Sequence, residues 1–145
     1  MKKVIIGSDH AGYDLKEEVG RYLSAKGEYG VKDIGAFSRE SVDYPLIAHE
    51  LAKCISEGTF LRGILICGSG IGMSIVANRY RNVRAALCHN LYTVRMSRRH
   101  NDANVLVIGA RVIGVGLALE MVELFLDTEF EGGRHLRRIM QIDIT

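Results

Sequence analysis

Apolar residues along the chain follow two alternating rhythms. Short β-branched or apolar runs stand at Lys3–Ile6, Val31–Ile34, Gly63–Ile66, Arg84–Leu87 and Val105–Ile108, each of strand length. Between them lie stretches with helical spacing. Leu15, Val19, Tyr22 and Leu23 fall at i, i+4, i+7 and i+8, while Asp14, Lys16, Glu17, Glu18 and Arg21 face away, which predicts an amphipathic helix. A second helix is expected to open at Pro45 behind Asp43 and to bury Ile47, Leu51, Cys54 and Ile55. Proline suits the first helical position because the N–H it lacks would have no helical partner there. Leu117–Leu126 is apolar almost all round, so that helix is expected to be heavily buried. A last short helix is expected after Gly132-Gly133.

Strand and helix alternating about five times predict an α/β fold, a three-layer α/β/α Rossmann-like sandwich on a five-stranded parallel sheet. With 145 residues, no internal repeat and no long linker, residues 1–145 read as a single domain. In such sheets ligands bind at the carboxyl ends of the strands. The loops leaving those ends are Gly7–Gly12, Gly35–Tyr44, Cys67–Gly72, Cys88–Asn90 and Gly109–Arg111.

Composition removes several function classes. The net charge of +2, from 19 basic and 17 acidic residues, gives no global pull toward nucleic acid or an anionic membrane. Val4-Ile5-Ile6 is too short for a secretory core or a membrane span, which need about 7 and about 18 apolar residues or more. Cys54, Cys67 and Cys88 make an odd count without CxxC spacing, which argues against a disulfide framework or a zinc site. The five histidines show neither HxxxH nor HxH spacing, so no metal is expected. Together these features lead us to expect a reduced, cytoplasmic protein.

The most informative loop is Cys67-Gly68-Ser69-Gly70-Ile71-Gly72. Alternating glycines let backbone N–H groups turn toward an anion, and a helix starting behind them adds a positive end. It does not match the usual nucleotide motifs: no Gly-Lys-Ser/Thr follows, and Met73 stands where GxGxxG needs glycine. A plain strand-to-helix turn fits the loop as well as an anion nest does. Cys67 reads either as a small buried residue or as a thiol whose pKa the N–H groups would pull below about 8.5. Asp9 and His10 put an acid and an imidazole at the end of the first strand, where Asp9 can also cap the first helix.

His100, in Arg98-Arg99-His100-Asn101-Asp102, reads either as a bystander in a polar surface turn or, near a helix C-terminus that favours its imidazolium, as a proton donor. It precedes its strand, so a parallel sheet puts it at the edge opposite the glycine loop. A second subunit would resolve that mismatch. Arg134 and Arg138, at i and i+4, can clamp one phosphate or form a solvated face. Arg111, after the fifth strand, is another candidate anion contact.

Taken together, Gly7-Ser8-Asp9-His10-Ala11-Gly12, Asp43-Tyr44-Pro45, Ile66–Gly72, Ser97–Asn104 and Glu131-Gly132-Gly133-Arg134-His135 resemble the type B ribose-5-phosphate isomerases. The resemblance extends to their relatives acting on galactose 6-phosphate and allose 6-phosphate. It implies an aldose–ketose isomerase working through a cis-enediolate without metal or cofactor. By position, Cys67 is the base and His100 the ring-opening acid, with Asp9 near the sugar. Gly68, Ser69, Gly70, Ile71 and Gly72 hold the enediolate oxygens and Asn101 bonds the sugar, while His10, Arg111, Arg134 and Arg138 surround the phosphate. Tyr44 is a further contact. The resemblance also implies a homodimer with a shared site, dimers of dimers being left open. The competing readings are an isomerase of six-carbon sugar phosphates, a nucleotide- or anion-binding regulatory module, and a thiol redox protein.

Overall fold

The computed structural model describes residues 1–144. Five strands, β1 (Lys2–Ser8), β2 (Tyr29–Asp33), β3 (Gly63–Cys67), β4 (Ala85–Leu87) and β5 (Val105–Gly109), alternate with helices. The helices are α1 (Tyr13–Lys26), α2 (Tyr44–Ser56), α3 (Ile71–Ala77), α4 (Leu91–Arg99), α5 (Val115–Asp127) and α6 (Arg134–Ile139). The strands form one parallel sheet in the order β2-β1-β3-β5-β4, the class expected from the alternation. No helix among the described residues is long and apolar enough to cross a membrane.

The central strands β3 and β5 are buried throughout, as continuous apolar runs in parallel sheets should be. Alternate side chains feed two cores. Val4, Ile6, Ile64, Leu106 and Ile108 pack against α1 and α5, while Ile5, Leu65, Val105 and Val107 pack against α2 and α3. From β1 the sheet grows one way to β2 and the other way to β3. The crevice between the carboxyl ends of β1 and β3 is therefore a topological switch point, where such folds place ligands.

Two expectations need correcting. Helix α2 starts one residue early, at Tyr44, so Pro45 takes its second position; that N–H also lacks an intrahelical partner. Helix α5 is not buried all round. Ala118, Met121, Val122 and Phe125 are buried, but Leu117, Leu119, Leu124 and Leu126 are only partly covered. The sheet covers one side of the helix, and α1 and α4 cover only part of the rest.

Candidate active site

Strand β3 ends at Cys67, and the chain turns through Gly68-Ser69-Gly70 into α3. Gly70 makes the turn possible: its φ is 82°, and a Cβ there would also meet Leu87 Cδ1 at 2.5 Å, so a side chain fails on both counts. The Gly70 N–H donates to Cys67 Sγ at 3.2 Å, and the Ile71 N–H to Ser69 Oγ at 3.2 Å. Part of the nest thus serves the thiol itself.

Cys67 is 5% exposed. Burial pushes its thiol pKa up, against the N–H groups of Met73, Gly70 and Ser69, which pull it down; the Asp9 carboxylate adds to the rise. The expected lowering is therefore wrong in sign, because desolvation of the thiolate outweighs the N–H groups. A thiol held this way is ionised less often but is a stronger base when ionised. Its alkylation by iodoacetamide should speed up about tenfold per pH unit and not level off below the ordinary thiol value near 8.5. A plateau reached before pH 8 would contradict this.

Asp9 follows β1. Its Oδ1 accepts the Gly12 N–H at 3.0 Å and its own N–H donates to Ile66 O at 3.2 Å, locking the carboxylate beside β3. Arg111 follows β5. Hydrogen bonds from Ala110 N–H to Cys67 O (2.8 Å) and from Arg111 N–H to Gly68 O (3.0 Å) tie the two loops together. The guanidinium lies over Gly68, whose missing Cβ would sit 3.2 Å from it. Asp9, Cys67, Gly68, Ser69, Ile71, Gly72 and Arg111 line one cleft of about 660 Å³, with Tyr44, Ile75 and Val112. Gly70 is buried behind its wall. His10 is half-buried, and its Nδ1 accepts the Val42 N–H at 3.1 Å. In the neutral ring this leaves the proton on Nε2.

Tyr44 packs its ring against Gly72, where any Cβ would collide with it. A Gly72→Ala variant should displace Tyr44 from the cleft and cut kcat/KM at least tenfold while the chain still folds, as circular dichroism and steady-state kinetics would show. Unchanged kinetics would mean that this contact does not shape the cleft.

The remaining candidates lie elsewhere in the same chain. His100 caps the C-terminus of α4, Asn101 lines a separate cleft with Arg84, and Arg134 and Arg138 are exposed on α6. All four belong to the edge where the strands begin, as the position of His100 before β5 required. That edge also holds a feature the sequence reading passed over. The rings of His100 and His135 stack at 4.2 Å and 9°. Glu131 Oε1 stands 3.9 Å from His100 Nε2 and 3.6 Å from His135 Nε2. These donors lie within 4.8 Å of one another. Near-parallel rings, however, aim their lone pairs side by side, so an ion could not lie in both ring planes. The only hint in the sequence was the four-residue spacing of Glu131 and His135.

A profile of the ribose/galactose isomerase family matches residues 4–142. The chain belongs to that family. Among members, it is 44% identical over 142 residues to the ribose-5-phosphate isomerase B of Escherichia coli, covering 98% of this chain and 95% of the relative. A solved ribose 5-phosphate isomerase from Thermotoga maritima superposes with a TM-score of 0.95 at 51% identity, covering 98% of this chain and 97% of that one. A family member from Pectobacterium atrosepticum named D-erythrulose-4-phosphate isomerase is 43% identical over 146 residues, covering 98% of this chain and 93% of the relative.

Proposed function

We propose that this chain, an aldose–ketose isomerase of sugar phosphates, interconverts ribose 5-phosphate and ribulose 5-phosphate in a site completed by a second copy of itself. The observation that carries the reading is the cleft in which Cys67, Asp9, the glycine turn and Arg111 converge, in a chain 44–51% identical to ribose-5-phosphate isomerases.

The chemistry runs as proton transfers. His100 protonates the ring oxygen of the furanose as the C1 hydroxyl gives its proton to solvent, which later reprotonates His100, and the ring opens to the aldehyde. The Cys67 thiolate takes the proton from C2, and the C2–H electrons form the C1–C2 double bond as the carbonyl electrons move onto O1. The backbone N–H groups of Gly68–Gly72 beyond those given to Cys67 Sγ and Ser69 Oγ hold the enediolate oxygens. The thiol returns its proton to C1, and the O2 hydroxyl proton passes to O1, leaving the C2 ketone. General acid–base help is worth about 10²–10⁴-fold and one oxyanion donor about 10²–10³-fold. Asp9 and Asn101 hold sugar hydroxyls. His10, Arg111, Arg134 and Arg138 hold the phosphate, whose binding orients the reacting carbons.

Within one chain these groups form two half-sites at opposite sheet edges, which supports a homodimer that brings them together. Exposed apolar side chains flank both halves: Ile71, Ile75 and Val112 near Cys67, and Leu136 and Met140 on α6. The three free thiols suit a reducing compartment such as the cytoplasm. The Pectobacterium relative, named for a four-carbon ketose phosphate, makes a different sugar length the second reading.

Two variants test the assignments. Arg138→Ala should raise KM about tenfold or more with kcat nearly unchanged, the loss of one charge-assisted hydrogen bond; an unchanged KM removes Arg138 from the phosphate site. His100→Asn should slow ribose 5-phosphate about a hundredfold or more. It should largely spare erythrose 4-phosphate, whose phosphorylated O4 prevents furanose closure. Equal losses on both substrates would refute the ring-opening role.

A further inference from the structure

Outside the Cys67 cleft, the titratable side chains of His100, Glu131 and His135 gather at the amino edge. His135 is 7% exposed, whereas the His100 side chain is 40% exposed, so a fixed ring backs a ring that can meet substrate. Glu131 reaches both Nε2 atoms, and its own position is set twice: its Oε2 pairs with Arg99 Nε at 3.3 Å, and its N–H donates to Arg99 O at 3.1 Å. The loop after α5 is thereby pinned to the end of α4 where His100 sits.

We propose that His135 and Glu131 are positioning residues for His100: the stacked His135 ring fixes the plane of the His100 ring, and Glu131, paired with Arg99, holds the loop leading to His135 against the end of α4. This rests on the ring-opening role given to His100 above. Burial, His100, Arg134 and Arg138 all disfavour charge on His135, and only Glu131 favours it. The His135 pKa is thereby lowered, which favours its neutral ring, a flat polarisable support for the exposed ring of His100. The charged groups facing the pair are Glu131 from the loop, Arg99 from α4, and Arg134 and Arg138 from α6.

Glu131→Gln, which weakens the tie between the loop and Arg99, should lose several-fold on ribose 5-phosphate and far less on erythrose 4-phosphate. His135→Ala should lose about tenfold on ribose 5-phosphate and far less on erythrose 4-phosphate, while His135→Phe, which keeps the flat support, should recover most of the loss. Unchanged turnover of ribose 5-phosphate in Glu131→Gln overturns the proposal, as does equal activity of His135→Ala and His135→Phe. If His100→Asn itself spares ribose 5-phosphate, the ring-opening role fails first, and this inference falls with it. A selective loss in His100→Asn without the Glu131 and His135 effects overturns this inference alone.

Discussion

Replacing Cys67 with alanine should abolish isomerisation while leaving ribose 5-phosphate bound. Among the described residues lining the cleft, the acidic side chains are Cys67, Asp9 and Tyr44, beside the Ser69 hydroxyl, which is far harder to ionise, and Asp9 spends one oxygen on the Gly12 N–H. Removing the base should lower kcat by at least about 10²–10⁴-fold. The phosphate contacts are untouched, so calorimetric affinity should stay within a few-fold of the wild type. Serine is the informative companion. It fits the same space, yet its hydroxyl is far harder to ionise than even a thiol raised by burial, so Cys67→Ser should be nearly as inactive. A Cys67→Ala protein with a tenth or more of wild-type kcat would move the base to Asp9.

The second large effect is a recovery. Cys67→Ala and His100→Asn proteins should each be nearly inactive on ribose 5-phosphate, but subunits mixed in equal amounts and allowed to exchange should regain about a quarter of wild-type activity. Half the dimers are then mixed, and each mixed dimer has one site with both Cys67 and His100 intact. The reason lies in the fold: Cys67 ends β3, while His100 follows α4 and precedes β5, so a parallel sheet holds them at opposite edges. Recovery identifies a site built by two chains; no recovery after verified exchange would mean that each chain completes its own.

Much of this was legible in the sequence because the relevant signals are local. The β-branched runs, the apolar spacing of α1 and the glycine turn each reflect backbone and packing rules acting over a few residues. The placement of His100 at the far edge followed from strand direction alone. Less legible was anything set by burial. The Cys67 thiol was expected to be acidified by its N–H neighbours, and their effect is real, but desolvation by the packed β3–α3 corner outweighs it. Likewise, the apolar sequence of α5 does not reveal which of its sides the sheet covers. The stacked pair of His100 and His135 joins residues 35 apart through the loop holding Glu131, a contact no helical period announces. Strand order, and with it the crevice between β1 and β3, is also a property of the assembled sheet.

The most direct test of the isomerase reading follows one atom. Wild-type protein incubated with ribose 5-phosphate carrying ¹³C at C1 should convert the anomeric carbon signals into the hydroxymethyl signal of ribulose 5-phosphate, with the phosphate retained, until equilibrium is reached. Anomeric signals that persist unchanged, or label that appears in free ribose, would contradict aldose–ketose isomerisation of ribose 5-phosphate by this chain.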